Sequence, residues 1–258
     1  MTAPYRWDLV TPDQLGSLLG GTRRPALFFL DQLVECAGTV LARSGGGDLV
    51  FVGRSLDSMF DLLGGALDGG LHRLPLSFRR GRRRLTHAET AAARELLAAA
   101  GVTPRRLARR DRPITFVDVV HEGSTFTQLY ELLRDWVDEE REPWPVIRRK
   151  LRFVGVTAER KPSPNAYRWQ QDVTWPRELP SRSVLNVSLS RTVWHYFGDV
   201  QVKLTRTFRP EQWLSEPDGP RHDEETRQAL AEAVALVAYG RNKQGRQALA
   251  RARNAARP

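Results

Sequence analysis

An acid, an imidazole, a second acid and two hydroxyls crowd into the stretch FVDVVHEGSTF, residues 116–126. Asp118 closes an apolar run, and a carboxylate at a strand terminus is placed to accept hydrogen bonds from a sugar diol. Gly123 permits a tight backbone turn. Ser124 and Thr125 offer hydroxyls where a helix begins, and the free N–H groups and partial positive charge of a helix start suit phosphate. Thr125 and Gln128 also have capping-box spacing, which reads the same stretch as a plain strand, turn and helix. His121 has a reference pKa of about 6.5 and can exchange a proton near neutral pH. Earlier, the apolar run DLVFV ends in Gly53-Arg54-Ser55: a glycine for close backbone approach, a charge-assisted donor and a hydroxyl.

These groups need a scaffold of strands ending on one side. Residues 25–43 carry Phe29, Leu33, Cys36 and Val40 at helical spacing. DLVFVG predicts a buried strand, SLDSMFDLLGGAL a helix, and 72–78 a weaker strand. THAETAAARELLAAAG predicts a helix, with Thr86 and Glu89 as its capping box and Gly101 beyond its end. PITFVDVV predicts a second buried strand and FTQLYELLRDWVDEE an amphipathic helix. Strand–helix units on short linkers predict an α/β fold with a central parallel sheet flanked by helices. The basic segment VTPRRLARRDR has no assigned place.

The expected division has four parts. Residues 1–45 form an N-terminal helical segment packing on the core, and 46–160 form the α/β core. Residues 161–220 form an aromatic- and Arg-rich hood with strands, including SVLNVSLSRTVWHYFGDVQVKLTRTF. Residues 221–258 form a C-terminal helix with a basic tail.

The chain carries a formal charge of +10, and only four of its 40 basic residues are Lys. Such a surface attracts polyanions. No nucleic-acid motif accompanies it, so nucleic acid is not the expected partner, despite the tail GRNKQGRQALARARN. The lone Cys36 excludes an intramolecular disulfide and sits in an apolar helical pattern, as a small buried hydrophobe does. No basic region followed by an apolar one opens the chain, and no apolar run approaches the ~20 residues of a membrane span. A cytoplasmic protein without membrane contact is expected.

The stretch VDVVHEGST resembles the phosphoribosyl-pyrophosphate (PRPP) signature of type I phosphoribosyltransferases. In that family an apolar strand and an acidic pair lead into a Thr/Gly-rich turn. The resemblance implies that Asp118 binds a ribose hydroxyl and that His121, Glu122, Gly123, Ser124 and Thr125 cradle the 5′-phosphate. Gly53, Arg54 and Ser55 match the pyrophosphate loop. The basic run with Arg82, Arg83 and Arg84 matches a mobile loop that closes over the reacting centre. It covers roughly residues 45–140 and departs from the family where Val117 replaces the first acid and Glu122 a common Thr. It further implies Mg²⁺ carried with PRPP, a heterocyclic acceptor, pyrophosphate release and a possible homodimer. Trp169, Trp194 and Tyr196, with Trp175, are candidates to stack the acceptor, and His121 to act as general base. His195 and Asp199 are polar candidates nearby, with a structural histidine as the plainer reading. No side chain is assigned to a metal. A regulatory protein that binds PRPP or a nucleotide without turnover is the alternative.

Overall fold

Five apolar runs form one sheet in the computed structural model, which describes residues 16–78, 85–160, 168–204, 209–214 and 223–257. The strands are β1 (Asp48–Val52), β2 (Leu71–Leu74), β3 (Ile114–Val119), β4 (Leu151–Ala158) and β5 (Val184–Leu189). All pairings are parallel, in the order β2-β1-β3-β4-β5. A parallel sheet is covered on both faces, so its inner strands need continuous apolar residues rather than alternation. LVFV in β1 and ITFV in β3 are such runs, each fully buried.

The helices are α1 (Leu30–Arg43), α2 (Asp57–Ala66), α3 (His87–Ala99), α4 (Pro104–Arg109), α5 (Ser124–Glu139), α6 (Trp144–Ile147), α7 (Arg191–His195), α8 (Pro210–Trp213), α9 (Glu224–Arg241) and α10 (Lys243–Ala255). The chain steps from β1 to β2 in one direction and from β3 through β5 in the other. Right-handed crossovers therefore put α2 on one face and α3 and α5 on the opposite one. The two cores follow from this. Ile114 and Phe116 of β3 pack with Ala93, Leu97, Leu129 and Leu133 of α3 and α5. Val117, pointing the other way, packs with Leu33, Val40, Met59 and Leu62 of α1 and α2. Phe116 stands in register with Phe153 of β4 and stacks on it, ring centroids 5.2 Å apart. Burying each ring contributes about 1.5–3 kcal/mol.

Several expected elements are present. The Thr86–Glu89 capping box closes in both directions, at 3.2 and 2.8 Å. Cys36 is buried in α1, and burial pushes its thiol up to about 12. The unassigned VTPRRLARRDR forms α4, with Thr103 accepting from the Arg106 N–H as its cap.

Others differ. The Thr125–Gln128 capping box does not form. α5 starts two residues earlier, with Gly123 as its N-cap, and Thr127 Oγ1 donates to the Gly123 carbonyl instead. The sheet does not end at residue 160, because β5 pairs along β4 and forms its edge. The expected strand through TVWHYFGDV is α7 followed by a wide helical turn at Tyr196–Val200. Ser190 caps α7, and with no strand to pair with there, local hydrogen bonds decide the conformation. The C-terminal helix is two helices. Asn242 takes ψ 161, ends α9, and caps α10 by accepting from the Gly245 N–H at 2.7 Å. Neither is a free tail: α9 packs on α2 and α10 on α1.

The α2–α9 contact depends on missing side chains. A Cβ on Gly240 would lie 2.1 Å from the Leu62 carbonyl oxygen, and one on Gly65 would lie 2.2 Å from that of Val237. Gly240→Ala must push two backbones apart. It is expected to cost about 1–3 kcal/mol in urea denaturation, despite the better helix propensity of Ala. A neutral or stabilised variant would show that the helices are not in close contact.

Candidate functional site

Between β1 and β3 the strand order reverses, and in open α/β sheets ligands bind in the crevice outside the carboxyl ends at such a point. The register pairs Phe51 with Val117. Two residues on, Gly53 and Val119 stand level, about 4.8 Å apart as neighbouring strands are. The turns Gly53-Arg54-Ser55 and His121 to Thr125 thus leave the sheet side by side, as their sequences predict.

Both turns use a left-handed glycine. Gly53 has φ +69, and its N–H donates to the Leu74 carbonyl at 2.9 Å. Gly123 has φ 76 and ψ 10. The helices that follow, α2 and α5, begin with no side-chain cap, whereas Thr86, Asp223 and Asn242 cap α3, α9 and α10. The first-turn N–H groups of α5 have no intrahelical acceptor, so they and the Ser124 and Thr125 hydroxyls are donors available to an anion. At α2 the first turn carries Asp57, whose carboxylate accepts from Arg73 of β2 at 2.8 Å. Arg54 and Ser55 are half-buried. Lys203, which sequence reasoning did not single out, brings its Nζ to the Ser55 carbonyl at 3.2 Å. It reaches the turn from 148 residues away, a pairing that no local pattern signals.

Asp118 is buried, 6% exposed, and faces the same side of the sheet as Phe116 and Val120. Oδ1 accepts from the Val119 N–H at 2.7 Å. Burial raises its pKa to about 8, against a smaller lowering by that hydrogen bond, so near pH 7 the carboxyl is largely neutral. Val117, one residue earlier, lies in the opposite core. His121 and Glu122 project into solvent, 71% and 75% exposed, with Nδ1 and Oε1 3.6 Å apart.

The aromatic candidates separate. Trp169 is 2% exposed and belongs to the core: it packs beside Phe126 and Trp175 and donates from Nε1 to Asn186 Oδ1 at 2.8 Å. Trp175 is likewise buried, stacked on Tyr130 and donating to Thr127 Oγ1 at 3.0 Å. Tyr196 stacks on Phe29 and donates its hydroxyl to Glu232 at 2.8 Å. These three rings are committed to packing rather than offered to an acceptor. Trp194 stands beside His121, half-buried, its ring centroid 6.0 Å from that of His121 and its Nε1 bonded to the Val156 carbonyl, whereas Trp169 abuts Gly123 of the same turn from the core side. His195 and Asp199 form an exposed pair at 3.0 Å, and His195 and Trp194 line the same groove as His121. Arg82, Arg83 and Arg84 lie outside the described residues.

Among the described residues no helix is long and apolar enough to cross a membrane. No protein-family model matches the chain, and no curated protein or solved structure matches it either.

Proposed function

We propose that the chain is a phosphoribosyltransferase that moves 5-phosphoribosyl from PRPP to a nitrogen heterocycle, releasing pyrophosphate. The observation that carries this reading is the adjacency of the two glycine turns at the strand-order reversal. One opens on Arg54 and the other on the uncapped start of α5. The α5 turn suits the 5′-phosphate, the Gly53 turn the pyrophosphate, and Asp118 lies between them at the end of β3. Trp194 and His121 then stand on the acceptor side, the ring to stack a heterocycle and the imidazole to take its proton. The protein's contribution is positioning and binding of the leaving group. Mg²⁺ would come with PRPP and would offset the charge of the departing pyrophosphate. Among the described residues no group of three or more His, Cys, Asp or Glu is placed to hold a metal, and Asp118, buried and mostly protonated near pH 7, does not fit as its donor, so the phosphate oxygens of PRPP would hold the ion.

Two observations favour a second reading, a PRPP- or nucleotide-binding regulator without turnover. Asp118 is buried and mostly protonated near pH 7, and Val117 removes the first acid into the core.

Calorimetric binding of PRPP and of ribose 5-phosphate, with pyrophosphate release over a panel of purines, pyrimidines and other heterocycles, tests both. Binding with release supports transfer, and binding without release from any acceptor supports the regulator. Absence of PRPP binding overturns the transferase, and absence of nucleotide binding as well overturns the regulator. Arg54→Ala is expected to weaken PRPP about tenfold or more while changing ribose 5-phosphate little, since a charge-assisted hydrogen bond contributes about 1.5–3 kcal/mol. Equal losses for the two ligands would remove the pyrophosphate from Arg54.

A further inference from the structure

A groove of about 1470 Å³ runs along the open edge of the sheet, from Arg149 and Ser183 at the amino ends of β4 and β5 to His121 and Trp194 at the carboxyl ends. Seven arginines line it, and no acidic side chain does among the described residues. Arg149, Arg168, Arg182 and Arg191 are exposed and form no ion pair with any described residue. Arg182 holds φ +69, a left-handed backbone that only a constrained non-glycine residue keeps. These four guanidinium groups share one groove with no paired carboxylate among the described residues, so the groove suits a partner that brings negative charge along its length.

We propose that this groove binds single-stranded nucleic acid. The phosphate backbone supplies charge at every unit, the arginines match it with forked donors, and His121 and Trp194 offer planar faces to a base at one end. An acidic peptide adding a strand to the β5 edge is the competing occupant, and the edge argues against it. The Ser183 and Leu189 carbonyls accept from Phe153 and Glu159, so odd-numbered carbonyls face β4 and the Asn186 carbonyl faces outward. That outward carbonyl is taken by the Arg43 guanidinium, which blocks the ladder an added strand needs. β4 spans eight residues, about 25 Å, room for a short stretch of strand. The proposal shares His121 and Trp194 with the PRPP reading, while its arginines play no part in that reading.

The test uses the full chain and a fluorescein-labelled single-stranded oligonucleotide of about 16 residues, near the upper site size of a single-strand-binding fold. Anisotropy is read across a salt series. The triple variant Arg149→Gln, Arg168→Gln, Arg191→Gln is expected to lose at least tenfold in affinity near 0.1 M salt. The slope of log K against log salt should fall by about 2, at about 0.7 per phosphate contact. A control of equal charge change, Arg105→Gln, Arg106→Gln, Arg227→Gln, should lose less than threefold. Thermal melts of both establish folding. PRPP binding is read by calorimetry on the same triple variant and should be unchanged, so failure here and failure of the PRPP reading are distinguishable. Equal losses in the groove and control variants, no oligonucleotide binding, or displacement of the oligonucleotide by poly-glutamate at equal charge would each overturn the proposal.

Discussion

Asp118→Asn is expected to abolish a loss of stability of about 3–4 kcal/mol that the wild-type protein suffers between pH 5 and pH 8. The folded carboxyl titrates near pH 8, raised from 3.8 by burial, while the unfolded one titrates near its ordinary value. Between those values the folded state holds a proton that the unfolded state has lost. Wild-type stability is therefore full below the unfolded pKa and falls by about 1.36 kcal/mol per pH unit until the folded pKa is passed. Asn keeps the shape and the acceptor for the Val119 N–H and does not titrate. Urea denaturation of both proteins at several pH values reads the difference, because every other group titrates alike in the two. Parallel curves would show that Asp118 is hydrated rather than buried. The same linkage bears on ligand binding. A ribose whose hydroxyls donate to the ionised carboxylate would lower its pKa, and affinity would then rise with pH toward 8.

What the sequence makes legible here is what local chemistry decides. LVFV and ITFV are too uniformly apolar for anything but strands buried on both faces. Thr86 and Glu89 fix the start of α3, and Gly53 and Gly123 mark the two turns at the reversal point. The failures have two causes, a local cap that overrides strand propensity and competition from groups distant in the chain. TVWHYF has the β-branched and aromatic residues of a strand, yet Ser190 caps it into α7 and the Trp194 indole is held by a β4 carbonyl. Trp169, Trp175 and Tyr196 resemble a stacking surface in one dimension and become core in three. The arginine groove is the opposite case. Arg43, Arg149, Arg168, Arg182 and Arg191 come from separate segments, so no run of the sequence marks them, whereas the conspicuous run at Arg82 to Arg84 lies outside the described residues. Val117 and Asp118 show the finest grain: one residue apart, they face opposite cores, because side chains alternate across a strand.

Gly123→Ala is expected to cost about 2–5 kcal/mol, from the backbone conformation and from Trp169. At φ 76 an L-residue already pays about 1–2 kcal/mol. The added Cβ would also lie 2.2 Å from Trp169 Cε3 and 2.7 Å from Cζ3, contacts that real side chains do not make, and overpacking adds about 1–3 kcal/mol. The indole has little room to retreat. Nε1 is bonded to Asn186, the ring is wedged beside Phe126 and Trp175, and Gly155 leaves only 3.4 Å between its own absent Cβ and Nε1. Trp169 therefore holds the Gly123 turn in its left-handed form from behind, and so aims the first-turn N–H groups of α5 at the crevice. A double-mutant cycle with Trp169→Leu separates the two costs. If the clash is real, Gly123→Ala should cost only about 1–2 kcal/mol once the indole has been removed, where the remaining penalty is backbone conformation. An equal cost in both backgrounds would show that the ring does not press on the turn, and the pre-shaped anion site would then need another support.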